Sequence, residues 1–193
     1  LFVDTVSIGI SKIHAACYTR GEKDIYAVFY ENDEVSGYWD LEGNNVKKAF
    51  LKAPLSFSRI SSKFSYARKH PIYKTVRPHA GVDYAAPMGT PVMAIGDGVV
   101  TFKGYKGGGG HTVKIKHNST YTSAYLHLSK YGKGIAEGVR VTQGQVIGYV
   151  GSSGSSTGPH LDFRIWKNGT PIDPLKMESP PTEPIPANAR TEF

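Results

Sequence analysis

The sequence is poor in cysteine and lacks the long apolar runs of membrane proteins. Its 193 residues include one cysteine, Cys17, which can form neither an internal disulfide nor a multi-cysteine metal motif. No apolar run approaches the ~18 residues of a membrane-spanning helix, and no basic-then-apolar signal peptide opens the chain. The sequence therefore argues against a disulfide-rich scaffold and against an integral membrane domain.

Acidic residues are also outnumbered, since 23 lysines and arginines face 16 aspartates and glutamates. The resulting net charge of +7 suits polyanionic partners such as nucleic acids, teichoic acids and acidic peptides. Nucleic acid is not expected, because zinc-finger spacing, a single-strand binding motif and a long basic helix are missing. A basic cluster before His79 predicts either one wall of a groove for an acidic peptide or a solvated loop: Arg59, Lys63, Arg68, Lys69, Lys74 and Arg77.

The middle of the chain is rich in Val, Ile, Thr and aromatic residues between glycine-containing turns, which predicts short strands. The predicted strands cover residues 91–95, 99–103, 112–117, 121–128, 139–141, 145–150 and 160–166, with two earlier strands at 26–30 and 37–41. Apolar residues at helical spacing before Pro54 predict a helix over residues 45–53. Strands therefore dominate the expected fold.

The last of these strands is expected to carry an ionisable face. His160 and Asp162 project from one side because strand side chains alternate with a period of two, and the apolar residues beside them project from the other. Together with His79 and Asp83, these side chains can supply the three protein ligands of an open catalytic zinc site and a base beside it. The pattern is typical of a metallohydrolase.

Five ordered motifs extend over more than half of the chain. They are His79-x-x-x-Asp83, the run at 84–92, Tyr125-Leu126-His127-Leu128, Gly144-Gln145-Val146-Ile147-Gly148 and Ser156-Thr157-Gly158-Pro159-His160. The segment from about residue 59 to residue 174 thereby resembles the LytM/lysostaphin-type zinc metallopeptidases, the M23 family of peptidoglycan endopeptidases. The resemblance implies that His79 and Asp83 bind zinc, and that His127 and His160 lie beside the zinc-bound water.

The chain departs from the family pattern at Asp162, where the family has the second His of an HxH motif as a zinc ligand. The resemblance then implies that His79, Asp83 and Asp162 hold Zn²⁺ and leave one position open for water. A carboxylate in place of a neutral imidazole is expected to acidify the bound water less. It also loosens the preference for zinc over manganese or magnesium.

The resemblance also implies the mechanism. His160 is expected to act as the general base that takes the proton of the water, whose pKa the metal lowers. His127 is expected to stabilise the developing oxyanion when protonated or to donate a proton to the leaving amine. His70, His111 and His117 match none of the functional positions, so we expect them at the surface or in structural hydrogen bonds.

The implied fold is mainly β, a LytM-type antiparallel β-sheet domain with an open groove over residues 55–177. Residues 1–54 are interpreted as the remnant of a small α+β accessory domain, of the kind that can cover the active-site groove in long relatives. Residues 178–193 are Pro-rich and lack apolar periodicity, which predicts an extended or disordered strap. The abrupt start at Leu1 predicts a mature or trimmed fragment of a longer exported protein.

Three function classes remain open at this point. The favoured one is a zinc-dependent endopeptidase that hydrolyses peptide cross-links or stem peptides of peptidoglycan in the bacterial cell envelope, either periplasmic or secreted. The second is a degenerate LytM module that binds cell wall or activates a partner amidase without hydrolysis, and Asp162 keeps it open. The third is a lipoyl or biotinyl carrier, whose hairpin the residues 139–151 resemble, but neither candidate turn contains a lysine to modify.

Overall fold

A computed structural model describes residues 2–3, 6–7, 12–56, 58–69, 76–180, 182, 184–190 and 193. In these residues the secondary structure consists of β-strands and two short 3-10 turns, Gly107–Gly109 and Pro174–Lys176, without an α-helix. None of their helical segments is long and apolar enough to span a membrane. The mainly β fold expected from the sequence is thus confirmed. Contacts divide the chain into two compact units, one of Leu1–Ala49 with Pro180–Phe193, and one of Phe50–Ser179.

The first unit is built from antiparallel strands. They are β1 (Phe2–Val3), β2 (Val6–Ser7), β3 (Ala15–Arg20), β4 (Lys23–Glu31) and β5 (Ser36–Trp39). β1 pairs with β2, and the other three form a sheet in the order β3-β4-β5. The strands predicted at 26–30 and 37–41 coincide with β4 and β5.

The Pro-rich tail is an ordered part of the first unit in its described residues. Ile185 and Ala189 are buried against Trp39, and they form the apolar cluster of this unit. The backbone N–H of Ile185 also donates to the carbonyl oxygen of Gly43 at 2.9 Å. The sequence predicted an extended or disordered strap; the described part of the tail contains neither strand nor helix, but two of its apolar side chains are buried against a partner that is distant in sequence.

The second unit contains most of the strands. They are β6 (Arg59–Ser62), β7 (Ser65–Lys69), β8 (Val76–His79), β9 (Val82–Ala85), β10 (Pro91–Met93), β11 (Gly98–Tyr105), β12 (His111–Lys116), β13 (Tyr121–Tyr131), β14 (Arg140–Val141), β15 (Val146–Val150), β16 (His160–Lys167) and β17 (Thr170–Ile172). The main sheet runs in the order β14-β11-β12-β13-β16-β9-β6, with β17 beside β16, β15 beside β13 and β10 beside β15. β7 and β8 form a separate hairpin. Each of the seven strands predicted between residues 91 and 166 coincides with one of these, although several ends differ.

Alternation along β16 separates the core from the candidate site. Leu161, Phe163 and Ile165 are buried in the apolar core, with 0%, 1% and 1% of their surface exposed. Because successive strand side chains point to opposite faces, the even-numbered residues of β16 face away from this core. The ionisable side chains thus project from a rigid, well-packed strand.

The helix predicted over residues 45–53 is wrong. The backbone N–H of Phe50 donates to Ser179 Oγ at 2.9 Å, and that of Leu51 donates to the carbonyl oxygen of Ile95 at 2.7 Å. These donors therefore bind partners far away in the sequence instead of the carbonyl four residues earlier, as a helix requires. Tertiary packing of the apolar residues, rather than their helical spacing, decides the local structure.

Part of the basic cluster before His79 lies outside the described residues, and so does His70. This applies to Lys74 and to the side chains of Arg68, Lys69 and Arg77. The two remaining members, Arg59 and Lys63, are exposed. Both interpretations of the cluster, a groove wall and a solvated loop, therefore stay predictions.

His117 belongs to a hydrogen-bond network in the core rather than to the candidate site. Its Nδ1 lies 2.8 Å from the carbonyl oxygen of Asp97, and its Nε2 lies 2.8 Å from Ser123 Oγ. The Ser123 hydroxyl lies 3.1 Å from the hydroxyl of Tyr125, and burial raises the pKa of Tyr125 to about 12. Burial also lowers the pKa of His117, although the carbonyl groups around it oppose this effect. These contacts agree with the structural role expected for His117.

We expect the free energy of unfolding to fall as the pH drops below about 6.5, the ordinary pKa of histidine. In that range the unfolded chain binds a proton at His117 that the folded chain, with its lowered pKa, binds only at still lower pH. Thermal unfolding between about pH 8 and about pH 5 measures the effect, and the His117→Gln variant should lose less of its Tm over this range than the wild type. An equal decline in both proteins would contradict the assignment.

Candidate metal centre

Three strands bring the predicted ligands together. His79 ends β8, Asp83 lies on β9, and Asp162 lies on β16. β9 and β16 are antiparallel neighbours, and their register places Asp83 directly opposite Asp162. Like charges in this arrangement destabilise a sheet. The register therefore creates a need for positive charge at this point.

Gly81, between His79 and Asp83, is required by the close approach of β16. A Cβ atom at this position would lie 2.6 Å from Asp162 Oδ1 and 2.7 Å from the side chain of Arg164. No side chain fits in that space. The glycine in the middle of the His79-x-x-x-Asp83 motif thus leaves room for the third carboxylate.

His79, Asp83 and Asp162 form a compact buried group of possible metal ligands. One ligand atom from each lies within 4.8 Å of the other two. His79 Nε2 is 3.0 Å from Asp83 Oδ1 and 3.9 Å from Asp162 Oδ1. The three residues expose 4%, 8% and 3% of their surface. Carboxylates buried this deeply are disfavoured unless positive charge lies nearby, and a bound cation would supply such charge.

The hydrogen bonding of His79 fits a metal ligand. Its Nδ1 lies 3.1 Å from the carbonyl oxygen of Lys63, so Nδ1 carries the proton for this bond. In the neutral ring Nε2 then presents a lone pair, and this buried atom has no hydrogen-bond partner among the described residues. It faces the acceptor oxygen of Asp83. A cation held by both satisfies two acceptors at once, and zinc accepts imidazole nitrogen and carboxylate oxygen as ligands.

Arg164 binds the third candidate ligand, and sequence analysis missed it. Its Nε donates to both oxygens of Asp162, at 3.0 and 3.1 Å, and its Nη2 donates to Oδ2 at 2.5 Å. Burial raises the pKa of Asp162, but the hydrogen bonds and charge of Arg164 outweigh burial and hold this pKa below its ordinary value. The sequence did contain a signal, because residues two apart on one strand lie on the same face.

The Asp162–Arg164 pair changes the charge argument made from the sequence. A carboxylate and a guanidinium together are neutral, as is the imidazole that the motif resemblance leads one to expect at position 162. The expectation of a less acidic water rested on an uncompensated carboxylate, and Arg164 compensates it. Each carboxylate oxygen has two acceptor sites, so Asp162 Oδ1 can accept from Arg164 and still bind a cation.

His127 breaks the alternation of β13. Its φ is +61°, in the left-handed region of backbone conformation that residues other than glycine seldom adopt. With strict alternation His127 would share the core face with Tyr125, and Leu128 would face away. Instead Leu128 is fully buried in the core, and the His127 ring lies 4.7 Å from the ring of His160, measured between centroids. Strain of this kind, about 1–3 kcal/mol, tends to be stored at functional sites.

His127 and His160 are held in the same tautomer. The Nδ1 of His127 lies 2.7 Å from the carbonyl oxygen of Ser153, and the Nδ1 of His160 lies 2.8 Å from that of Gly158. Each carbonyl requires a proton on Nδ1, so in the neutral rings each Nε2 carries a lone pair. Burial and the neighbouring His160 lower the pKa of His127, and they outweigh the bond to Ser153 and two nearby carboxylates. His127 is therefore neutral at pH 7.

The structure brings all five predicted site residues into one region. The three predicted ligands form the buried cluster, and the rings of His127 and His160 lie next to each other. The carboxylates of Asp83 and Asp162 are near enough to His127 to act on its pKa. The other described histidines of this unit lie apart from the cluster, since His111 bonds through Nδ1 to the Tyr131 hydroxyl at 3.0 Å and His117 lies in the core. The arrangement offers a metal site flanked by two proton acceptors.

Comparison with known sequences is consistent with this geometry. The model of Peptidase family M23 matches residues 77–174, which include every residue of the site. The chain is 39% identical to the peptidoglycan DD-endopeptidase ShyC of Vibrio cholerae over 96% of its own length and 42% of the relative. It is 51% identical to the DD-carboxypeptidase/endopeptidase Mpg of Neisseria meningitidis over 71% of its length and 31% of the relative. The chain thus spans less than half the length of these curated relatives.

Solved structures give the same picture. A zinc-containing peptidase from Vibrio cholerae superposes with a TM-score of 0.64 at 35% identity, over 88% of this chain and 51% of the other. The catalytic domain of lysostaphin from Staphylococcus simulans superposes with a TM-score of 0.54 at 33% identity, over 61% of this chain and 90% of the other. The match to the lysostaphin domain covers nearly all of that domain.

Proposed function

The chain belongs to peptidase family M23, and from this premise we propose that it is a zinc-dependent endopeptidase that hydrolyses peptide cross-links or stem peptides of bacterial peptidoglycan. The observation that carries the proposal is the buried cluster of His79, Asp83 and Asp162 beside the paired imidazoles of His127 and His160. The peptidoglycan DD-endopeptidases among its relatives support the substrate class.

We assign the metal to His79, Asp83 and Asp162, with zinc supported by the zinc-containing relative. When bound, the metal polarises the scissile carbonyl and lowers the pKa of a water that serves as the nucleophile. The backbone carbonyl of Lys63 holds the imidazole of His79 in the tautomer that a metal ligand needs, with the proton on Nδ1 and the lone pair on Nε2. Arg164 keeps Asp162 ionised and fixes its orientation through three hydrogen bonds.

His160 is the proposed general base. Its Nε2 carries the lone pair, because Nδ1 is committed to the carbonyl oxygen of Gly158 and also lies 3.2 Å from Ser156 Oγ. These two contacts fix the ring, so its orientation is set before the substrate binds. In the neutral ring, the nitrogen that takes the proton of the attacking water therefore presents its lone pair and is held in place.

His127 is the proposed partner of His160 on the other side of the reacting group. At pH 7 the ring is neutral, so its Nε2 accepts a proton before it can give one. Once it has taken up a proton from solvent, it can donate that proton to the leaving amine or stabilise the developing oxyanion. Gly151 supports its unusual backbone, because a Cβ atom there would lie 2.7 Å from the carbonyl oxygen of His127.

One observation favours a second candidate, a module that binds cell wall or activates a partner amidase without hydrolysis. Arg164 already occupies both oxygens of Asp162, which weakens the attraction of this carboxylate for a second cation. The endopeptidase remains the better proposal, because a binding module has no chemical need for two histidines fixed ring to ring. In either case we propose the bacterial cell envelope as the place of action, which the peptidoglycan-acting relatives support.

Metal removal is expected to abolish hydrolysis. Purified peptidoglycan is incubated with the protein in the presence of zinc, of a chelator, and of chelator followed by excess zinc, and the released fragments are identified by mass spectrometry. We expect the chelator to reduce release at least about 100-fold and zinc to restore it, since the metal generates the nucleophile. The masses identify the bond that is cut.

The same experiment separates the two candidates. Sedimentation of the protein with insoluble peptidoglycan is measured in parallel under each condition. Binding without release of fragments under zinc, manganese or magnesium would contradict the endopeptidase and favour the binding module. Release that persists in chelator would contradict the metal mechanism itself.

A further inference from the structure

A cavity of about 220 Å³ lies in the second unit on the same sheet face as the metal cluster. We call it the basic cavity. Its lining includes Lys106, Lys114, Ala124, Leu126, Arg164 and Trp166. None of these residues has a role in the proposed reaction except Arg164, which acts there only through Asp162.

The floor of the basic cavity is set by the strand register. Lys114 on β12 lies opposite Ala124 on β13, and Ala124 lies opposite Arg164 on β16. Neighbouring strands are about 4.8 Å apart, so two cationic residues stand about 10 Å apart across the small side chain of Ala124. A methyl group between two long cationic side chains leaves space that a small anion can fill.

The basic cavity concentrates positive charge without a matching acid. Burial lowers the pKa of Lys114, and the charges of Lys106 and Arg164 lower it further. Within the described part of the chain, no carboxylate forms an ion pair with Lys106 or Lys114, whereas Arg164 is committed to Asp162. The ammonium groups instead lie over aromatic rings, with Lys114 Nζ 5.3 Å from the Trp166 ring and Lys106 Nζ 5.5 Å from the Phe102 ring. An anion in the cavity would relieve this repulsion.

The basic cavity also lies at a defined distance from the metal cluster. Leu126, which lines it, pairs directly with Asp162 in the register. Arg164 and Trp166 follow Asp162 on the same face, each two residues further along β16. Two residues of extended chain span about 7 Å. An extended substrate that has its reacting bond at the cluster and runs parallel to β16 would place a group one to three residues away over the cavity.

We propose that the basic cavity is a subsite for a carboxylate of the substrate peptide, which Lys106 and Lys114 bind about two residues from the scissile bond. This inference rests on the proposed function, since it assumes that peptide is bound at the metal cluster. The lysines supply charge-assisted hydrogen bonds to the carboxylate. Ala124, Leu126 and Trp166 contact the aliphatic part of the side chain that carries it, as apolar walls with few polar groups do in ligand sites.

The test compares two stem peptides that differ in one group. They are identical except that a side-chain carboxylate about two residues from the scissile bond is free in one peptide and amidated in the other. For the wild type we expect kcat/KM to be about tenfold higher with the free carboxylate, the contribution of one charge-assisted hydrogen bond. In Lys114→Met and in Lys106→Met the ratio of kcat/KM for the acid to kcat/KM for the amide should fall from about ten to about one to three.

Lys167→Met is the matched control. Lys167 lies on β16, is exposed, and has its Nζ 5.9 Å from the ring of Tyr121, but it does not line the basic cavity. This variant loses the same charge and should keep the tenfold preference. Thermal unfolding is recorded for all variants, and Lys106→Met, at an exposed position, tests the cavity even if Lys114→Met is unstable.

A second measurement separates this inference from the proposed function. Binding of both peptides is measured by titration calorimetry in chelator, where no hydrolysis is expected. A preference for the acid that depends on Lys114 supports the subsite even if the protein proves unable to hydrolyse peptidoglycan. Equal affinity and equal kcat/KM for acid and amide, in a protein that does hydrolyse, would overturn the subsite and leave the proposed function intact.

Discussion

Replacing His160 with alanine is expected to reduce hydrolysis by about 10²- to 10⁴-fold, the usual contribution of a general base, while metal binding stays unchanged. The reason lies in the position of the ring. His160 lies on the strand that carries Asp162, but its Nδ1 bonds to the carbonyl oxygen of Gly158, and it is not part of the buried ligand cluster. Loss of the side chain therefore removes a proton acceptor and not a ligand.

Two measurements on the same preparation test this expectation. Release of peptidoglycan fragments gives the rate, and zinc content after dialysis gives the metal occupancy. His111→Ala is the matched control, because His111 is also partly buried with a hydrogen bond at Nδ1 but lies outside the cluster. If the zinc content falls in the His160→Ala variant, His160 is a metal ligand and not a general base. If this variant retains full activity, His160 has no part in the mechanism.

Replacing Arg164 with glutamine is expected to destabilise the metal-free protein by about 3 kcal/mol. This is the lower end for breaking a buried ion pair, because 31% of the Arg164 side chain is exposed whereas the Asp162 side chain is 4% exposed. The variant leaves the Asp162 carboxylate buried without its three hydrogen bonds. Urea unfolding in chelator measures the loss, and Arg140→Gln is the control, because Arg140 is an exposed residue of β14.

The sign of the pH dependence follows from the pKa of Asp162. Arg164 holds this pKa below its ordinary value, so the stabilisation is present above about pH 4 and is lost as the pH falls through the folded-state pKa. The difference in stability between the wild type and Arg164→Gln should therefore shrink in acid. A constant difference down to about pH 2 would contradict the assignment of the effect to this ion pair.

The same variant should bind zinc more tightly than the wild type. A metal ion at the cluster is repelled by the guanidinium beside Asp162, and the substitution removes that repulsion. The stability gained on adding zinc should accordingly be larger in Arg164→Gln than in the wild type. Weaker zinc binding in the variant would mean that Arg164 holds Asp162 in position for the metal. The loss of that positioning would then affect zinc affinity more than the removal of the guanidinium's repulsion does.

Much of the candidate site was predictable because strand alternation is a local rule. Residues 160–165 alternate between ionisable and apolar side chains, and the apolar ones are buried in the core as expected. The resemblance carried by the His79-x-x-x-Asp83 motif likewise predicted that these two residues act together, and their side chains lie 3.0 Å apart. The role of Arg164 was available from the same rule, because it is the next residue on the face of Asp162.

Long-range contacts decide the structure of two segments whose local pattern did not reveal it. The spacing of apolar residues over 45–53 is helical, but Phe50 and Leu51 donate their backbone hydrogen bonds to residues 179 and 95. The tail lacks periodicity, but Ile185 and Ala189 are buried beside Trp39. Local spacing indicates which segments can be helical or extended, whereas the actual partner of an apolar side chain depends on the rest of the fold.

The sequence by itself determined the family and the mainly β architecture, because motif spacing and strand period are properties of the chain alone, and it supplied the residues that we propose for the metal centre. Only the tertiary structure decided how these residues are arranged. The left-handed backbone of His127, the ion pair of Asp162 with Arg164 and the cavity between Lys114 and Arg164 each depend on strand register. Register is set by the packing of the whole sheet, so no single segment of sequence reveals it.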